Sequence, residues 1–181
     1  MKKIVVYILF VFFAHCTFAQ TDSFKTNIET AVNTKGFLIK QDIFVLEDFG
    51  KFRIGAVKIS NLENFSTTSG AKIIHIIQEG KTFKSYYNYI DHEEIDGLIT
   101  ALQYMKTMVK SKAVPSNYSE IKFITKSGFL VQLSTILNTA NNLDWSFSVQ
   151  TNVAIEKSYI VYTNADIDKL QKILEQVKSK L

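Results

Sequence analysis

The chain has 181 residues, 46% of them hydrophobic and 21% charged, with a formal net charge of +4. That apolar content excludes a disordered chain. The charge is near balance and Arg53 is the single arginine, so the guanidinium clamps that grip phosphates are nearly missing and no nucleic-acid partner is expected.

Lys2 and Lys3, the apolar stretch from Ile4 to Ala14, and Thr17-Phe18-Ala19 before Gln20 form the three regions of an export signal. The stretch is shorter than the roughly 18 apolar residues of a spanning helix, and no later run approaches that length. Residues 1–19 are therefore expected to be a signal peptide, and the protein periplasmic or secreted, with no transmembrane segment after cleavage. Cys16 raises a second reading, a lipid-anchored envelope protein, although His15 stands where a lipoprotein signal places a small residue. Cleavage after Ala19 removes the only cysteine, so the core alone must hold the mature chain.

Residues 20–35 read as a leader or short helix, with weak helical spacing at Phe24, Ile28 and Val32. Residues 36–181 read as a single α+β domain made of two repeats, 36–112 and 117–181. In the first, strand-like runs at 37–46 and 52–59 flank a turn at 48–51, and 62–70 is a polar loop. A hairpin follows at 72–78 and 82–90, then a helix over 91–111. Ile95, Leu98, Leu102, Met105 and Val109 fall on one face of that helix. After a link containing Pro115, strands are expected at 118–125, 129–136, 145–150 and 157–162. A terminal helix carries Ile167, Leu170, Ile173, Leu174 and Val177 on one face.

The repeats share wording. Lys84-Ser85-Tyr86-x-x-Tyr89 leads to Ile95-Asp96-x-Leu98, and Lys157-Ser158-Tyr159-x-x-Tyr162 leads to Ile167-Asp168-x-Leu170, in register after one deleted residue in the connection. This predicts two tandem ββββα units forming antiparallel sheet covered on one side by two helices. Edge-to-edge pairing would make one long curved sheet, resembling the saddle of TATA-binding-protein-like or β-lactamase-inhibitor-like folds.

Asp91-His92-Glu93-Glu94-Ile95-Asp96 is the obvious polar cluster. His92 and Asp96 stand four apart on a helix, a spacing that can hold a metal or serve a hydrolase. The plainer reading is helix capping: Asp91 with Glu94 matches a capping box, and Thr163 with Asp166 repeats it without a histidine. No metal or cofactor is therefore assigned, and no P-loop, Rossmann glycine pattern, zincin histidine pair or nucleophile elbow occurs. Alternation places His75 beside Ile73 and Ile77 as a strand-packing histidine. Gly97 has Lys169 as its counterpart, so no close helix approach is required of both copies.

Tyr86, Tyr87, Tyr89, Tyr159 and Tyr162 are the candidate partner-binding aromatics. They serve either as cross-strand packing or as a sheet face left open to a protein or glycan of the cell envelope. The runs Tyr89-Ile90-Asp91-x-Glu93-Glu94-Ile95-Asp96-Gly97-Leu98, Thr125-Lys126-Ser127-Gly128-Phe129 and Trp145-Ser146-Phe147 resemble small secreted proteins of unknown function from Bacteroidetes-type bacteria. The resemblance implies export and fold, with no active residues. The expected function is an exported, non-catalytic binding or structural module of the bacterial envelope.

Overall fold

The computed structural model describes residues 25–111 and 117–181. The expected signal peptide with Cys16 and the link at Pro115 lie outside the described residues. A short helix α1 (Asn27–Asn33) precedes four strands, β1 (Ile39–Phe49), β2 (Phe52–Asn61), β3 (Thr67–Glu79) and β4 (Thr82–Asp91). Helix α2 (His92–Lys110) follows without a loop. The second unit holds β5 (Glu120–Ile124), β6 (Leu130–Leu137), β7 (Leu143–Gln150), β8 (Tyr159–Tyr162) and α3 (Asp166–Lys178). The expected ββββα plan is therefore present twice. Several boundaries shift by a few residues, and two departures have a clear cause. β3 begins at Thr67, inside the expected loop, because Thr67 and Thr68 pair with Ser60 and Ile59. Residues Glu156–Ser158 form a 3-10 turn rather than strand, held by the Ser158 hydroxyl on the Asn152 and Ile155 carbonyls.

The strands make two separate antiparallel sheets, ordered β1-β2-β3-β4 and β5-β6-β7-β8. No ladder joins them, so the single curved sheet is not formed. Side chains occupy the β4 edge instead. The Asn88 side chain accepts from the Tyr89 N–H (2.7 Å) and donates to Thr151 O (2.5 Å). The Tyr89 carbonyl accepts the Ser127 hydroxyl. An edge whose amide and carbonyl are already bonded has nothing to offer another strand.

One core joins both units. Ile54, Ile73 and Ile90 line the inner face of the first sheet, and Val131, Leu133 and Phe147 that of the second. Leu98 and Leu102 of α2 and Leu170 and Leu174 of α3 complete it. Each such side chain, fully buried, contributes about 1.5–3 kcal/mol. Helix α2 lies against β3, β4 and β5, whereas α3 crosses back onto β1, β2 and β3. The second helix thus covers the first sheet rather than only its own. Gly97 makes the bridge to β5: a Cβ there would stand 3.1 Å from the Phe123 ring, so the first copy does use the close approach. α1 lies on the opposite, outer face, where Ile28 packs with Val57 and Ile59.

The helices run antiparallel and are tied at both ends. Lys178 Nζ meets Asp96 Oδ1 at 2.5 Å, and Lys106 pairs with Asp168. Asp96 and Asp168 hold the same place in the two copies, as do Lys106 and Lys178, so each copy's acid meets the other's base. That reciprocity is the mark of an isologous, two-fold contact.

The copies also correct their own alignment. Tyr162 pairs with Phe147 on the inner face, as Ile90 pairs with Ala71. Tyr159 and Tyr87 both face outward. β4 with α2 and β8 with α3 then match at one constant offset, and no residue is deleted between strand and helix. The shared Lys-Ser-Tyr wording is one residue out of structural register, which flips every side chain to the opposite face.

Gly50 and Gly80 both open two-residue turns at positive φ, +59° and +64°. A Cβ on Gly50 would meet the Tyr162 hydroxyl at 2.6 Å, whereas nothing lies within 4 Å at Gly80. Both alanine variants carry the backbone strain; only Gly50→Ala adds the collision. Urea unfolding is expected to place Gly50→Ala below Gly80→Ala by at least about 1 kcal/mol.

Candidate functional site

The acidic cluster is a structural junction. Asp91 ends β4 and is fully buried. Its two carboxylate oxygens accept the N–H groups of Asn27 (2.8 Å) and Ile28 (3.2 Å) at the start of α1. Its own N–H donates to Glu94 Oε2 (3.2 Å) in the capping box of α2. The other Glu94 oxygen accepts the Lys126 N–H at 2.7 Å. Lys126 Nζ then meets Glu93 (2.9 Å) and Asp91 (3.5 Å), and the Asn27 amide donates to Glu93 at 3.0 Å. Bonding to Lys126 holds the Glu93 carboxyl below its ordinary range. Three chain segments meet here.

His92 points to solvent and Asp96 pairs with Lys178. Among the described residues no group of three or more His, Cys, Asp or Glu could hold a metal ion. In the second copy α3 begins at Asp166 with Ala165 as its N-cap. Thr163 donates both its N–H (3.0 Å) and its hydroxyl (2.7 Å) to the Asp166 carboxylate. Only the reach-back half of the box exists there, because the Thr163 hydroxyl is used as a donor.

The five tyrosines separate into distinct roles. Tyr162 is half-buried, its ring 4.6 Å from Phe49, and its hydroxyl donates to the Phe49 carbonyl at 3.2 Å. Burial pushes its pKa up to about 12. Tyr89 is half-buried in the cluster beneath α1. Tyr86 donates to Glu79 at 3.0 Å; Lys84 also binds Glu79, at 2.6 Å, and these bonds hold the Glu79 carboxyl below its ordinary range. Tyr87 and Tyr159 are left, 55% and 45% exposed. Each stands on the outer face of its own sheet.

On the first sheet the outer face divides in two. At one end, α1 seals Val57 and Ile59. Beyond it, Tyr87 lies across from Ile74, and Ile76 and Phe83 continue the surface towards the β3–β4 turn. Phe83 is 70% and Ile76 51% exposed. Phe83 was legible as aromatic; nothing in the alternation marked Ile76 as uncovered. A groove of about 360 Å³ also opens between Phe44 of β1 and Ile173 and Val177 of α3, at the register shift in β1. No periodicity announces a bulge.

No protein-family model matches the chain, and no curated protein matches it at a significant level. No helix among the described residues is long and apolar enough to cross a membrane.

His75 is 2% exposed, and its Nδ1 lies 3.0 Å from the Thr151 hydroxyl, across the junction between sheets. Burial, aided by Lys51, lowers its pKa below 6.5. The unfolded chain therefore takes up this proton before the folded one does, and stability falls as pH drops below about 6.5. Thermal unfolding between pH 7.5 and 5 is expected to show a shallower decline for His75→Gln than for the natural chain.

Proposed function

We propose that this is an exported, non-catalytic binding module of the bacterial envelope that takes a protein partner on the outer face of its first sheet. The observation that carries the reading is the continuity of that face. The same sheet surface is already covered at one end by the apolar side of α1, through Ile28, Ala31 and Val32 on Val57 and Ile59. The adjoining end presents Ile76, Phe83 and Tyr87 exposed, beside a half-buried Ile74. A surface that accepts one amphipathic helix is shaped to accept an extension of that layer from another chain. Lys72, whose ammonium lies 4.9 Å from the Tyr87 ring centroid, adds a charge at the boundary suited to an acidic residue on the partner.

Export rests on the Lys2–Gln20 pattern, and the envelope setting on that pattern and the resemblance to small secreted proteins. Each carboxylate around His92, on Asp91, Glu93, Glu94 and Asp96, is engaged with the protein's own donors. That engagement favours binding over a hydrolase centred on His92.

The test uses the chain from Gln20 onward as bait for envelope proteins of the native host, with Phe83→Ser and Tyr87→Ser as matched baits. A protein retained by the natural chain should lose roughly tenfold or more in affinity to either variant, as expected for exposed aromatic anchors. A partner held equally by all three baits, or no retained partner, contradicts the reading.

A further inference from the structure

The outer face of the second sheet carries a different kind of surface. Tyr118 and Tyr159 line a depression of about 580 Å³ together with Glu120, Gln132 and Ser134. Tyr118 is 69% exposed, so two open aromatic rings border a row of amide, carboxylate and hydroxyl groups. Gln132 and Tyr159 belong to strands separated by β7, yet both line the depression. On that face of β7, Ser148 lies across from Gln132 and Gln150 across from Tyr159, and the Gln150 amide is drawn aside to donate to the Ile155 carbonyl at 3.2 Å. Ser148, directly across from Gln132, is 1% exposed, and its hydroxyl has no hydrogen-bond partner. That hydroxyl sits under the depression rather than in its lining, which is made by Tyr118, Glu120, Gln132, Ser134 and Tyr159.

The charges there cancel. Glu120 is paired with Lys122 at 2.5 Å and also accepts the Gln132 amide at 3.2 Å. An acidic polymer would meet the carboxylate, and an apolar helix would strip water from the Glu120 carboxylate and the Ser134 hydroxyl without replacing its bonds. A ligand with flat C–H faces and many hydroxyls satisfies both parts of the surface, stacking on the tyrosines and bonding to the row between them.

We infer that this depression binds a neutral oligosaccharide, with Tyr118 and Tyr159 as stacking platforms and Gln132, Glu120 and Ser134 as hydroxyl partners. The site lies on the opposite unit from the protein-binding face proposed above and does not depend on it. The module would then connect an envelope protein to a glycan.

The experiment is a backbone-amide NMR titration of the full mature chain with cellotetraose, chitotetraose and maltotetraose, each taken to about 10 mM, a range that captures weak single-site affinities. Tetragalacturonic acid serves as the charged counterpart. At least one neutral sugar should shift resonances of β6, β7 and β8, and Tyr159→Ala and Tyr118→Ser should each weaken that binding about tenfold. Tyr118 precedes β5, so its variant guards against a folding defect in β8. Tyr104→Ser, at an exposed position of α2, should leave the affinity unchanged. Absence of shifts with all three neutral sugars, preference for the acidic one, or binding indifferent to both tyrosine variants overturns the proposal.

Discussion

The Asp91 carboxylate is the constraint on which the arrangement depends. It ends a strand, starts a helix and supplies the acceptors for the first two amides of another helix. A buried carboxylate is costly unless its oxygens are bonded, and here both are. The bonds come from segments far apart in sequence, so the group is satisfied only when α1, the β4–α2 corner and the Lys126 turn are assembled together. Placement of α1 then decides which part of the outer sheet face is sealed and which stays open. The proposed partner surface is thus a consequence of where one carboxylate finds its donors.

The second organising relation is the reciprocity of the two units. Asp96 with Lys178 and Asp168 with Lys106 are partly exposed pairs, and exposed pairs contribute only about 0–1 kcal/mol each. Their consequence is orientation: they fix two antiparallel helices in register over a common core. The lateral joint is made by other means. His75 with Thr151, Asn88 with Thr151 and Ser127, and Tyr162 with Phe49 bind the sheets through side chains. The first three of these groups are polar and buried, and each is bonded across the joint, which gives the two sheets one preferred docking.

Periodicity made the strand and helix order readable, because alternation and the 3.6-residue spacing both point towards a core. It also gave the capping role of Asp91 and Glu94. What it could not give were facts decided by a single residue of register. Tyr89 and Tyr162 match in wording yet lie on opposite sheet faces, since a one-residue slip reverses a strand. The free edge of β4 reads as available for pairing, and the Asn88 and Ser127 side chains on the Tyr89 amide and carbonyl remove it. The polar run at Thr67 to Gly70 resembles a loop by composition and becomes strand because β2 is long enough to pair with it. The depression beside Tyr159 gathers residues of β6, of β8 and of the stretch entering β5, a grouping that appears only after the strands are laid side by side.

The most direct measurement is hydrogen exchange in an Asp91→Ala variant under conditions where it remains folded. If the carboxylate is the shared junction, amide protection should fall together in α1, in the first turn of α2 and at Lys126, while the β6–β7 core keeps its protection. Loss confined to the first turn of α2, with Asn27 and Ile28 as protected as before, would make Asp91 an ordinary helix cap and contradict the account.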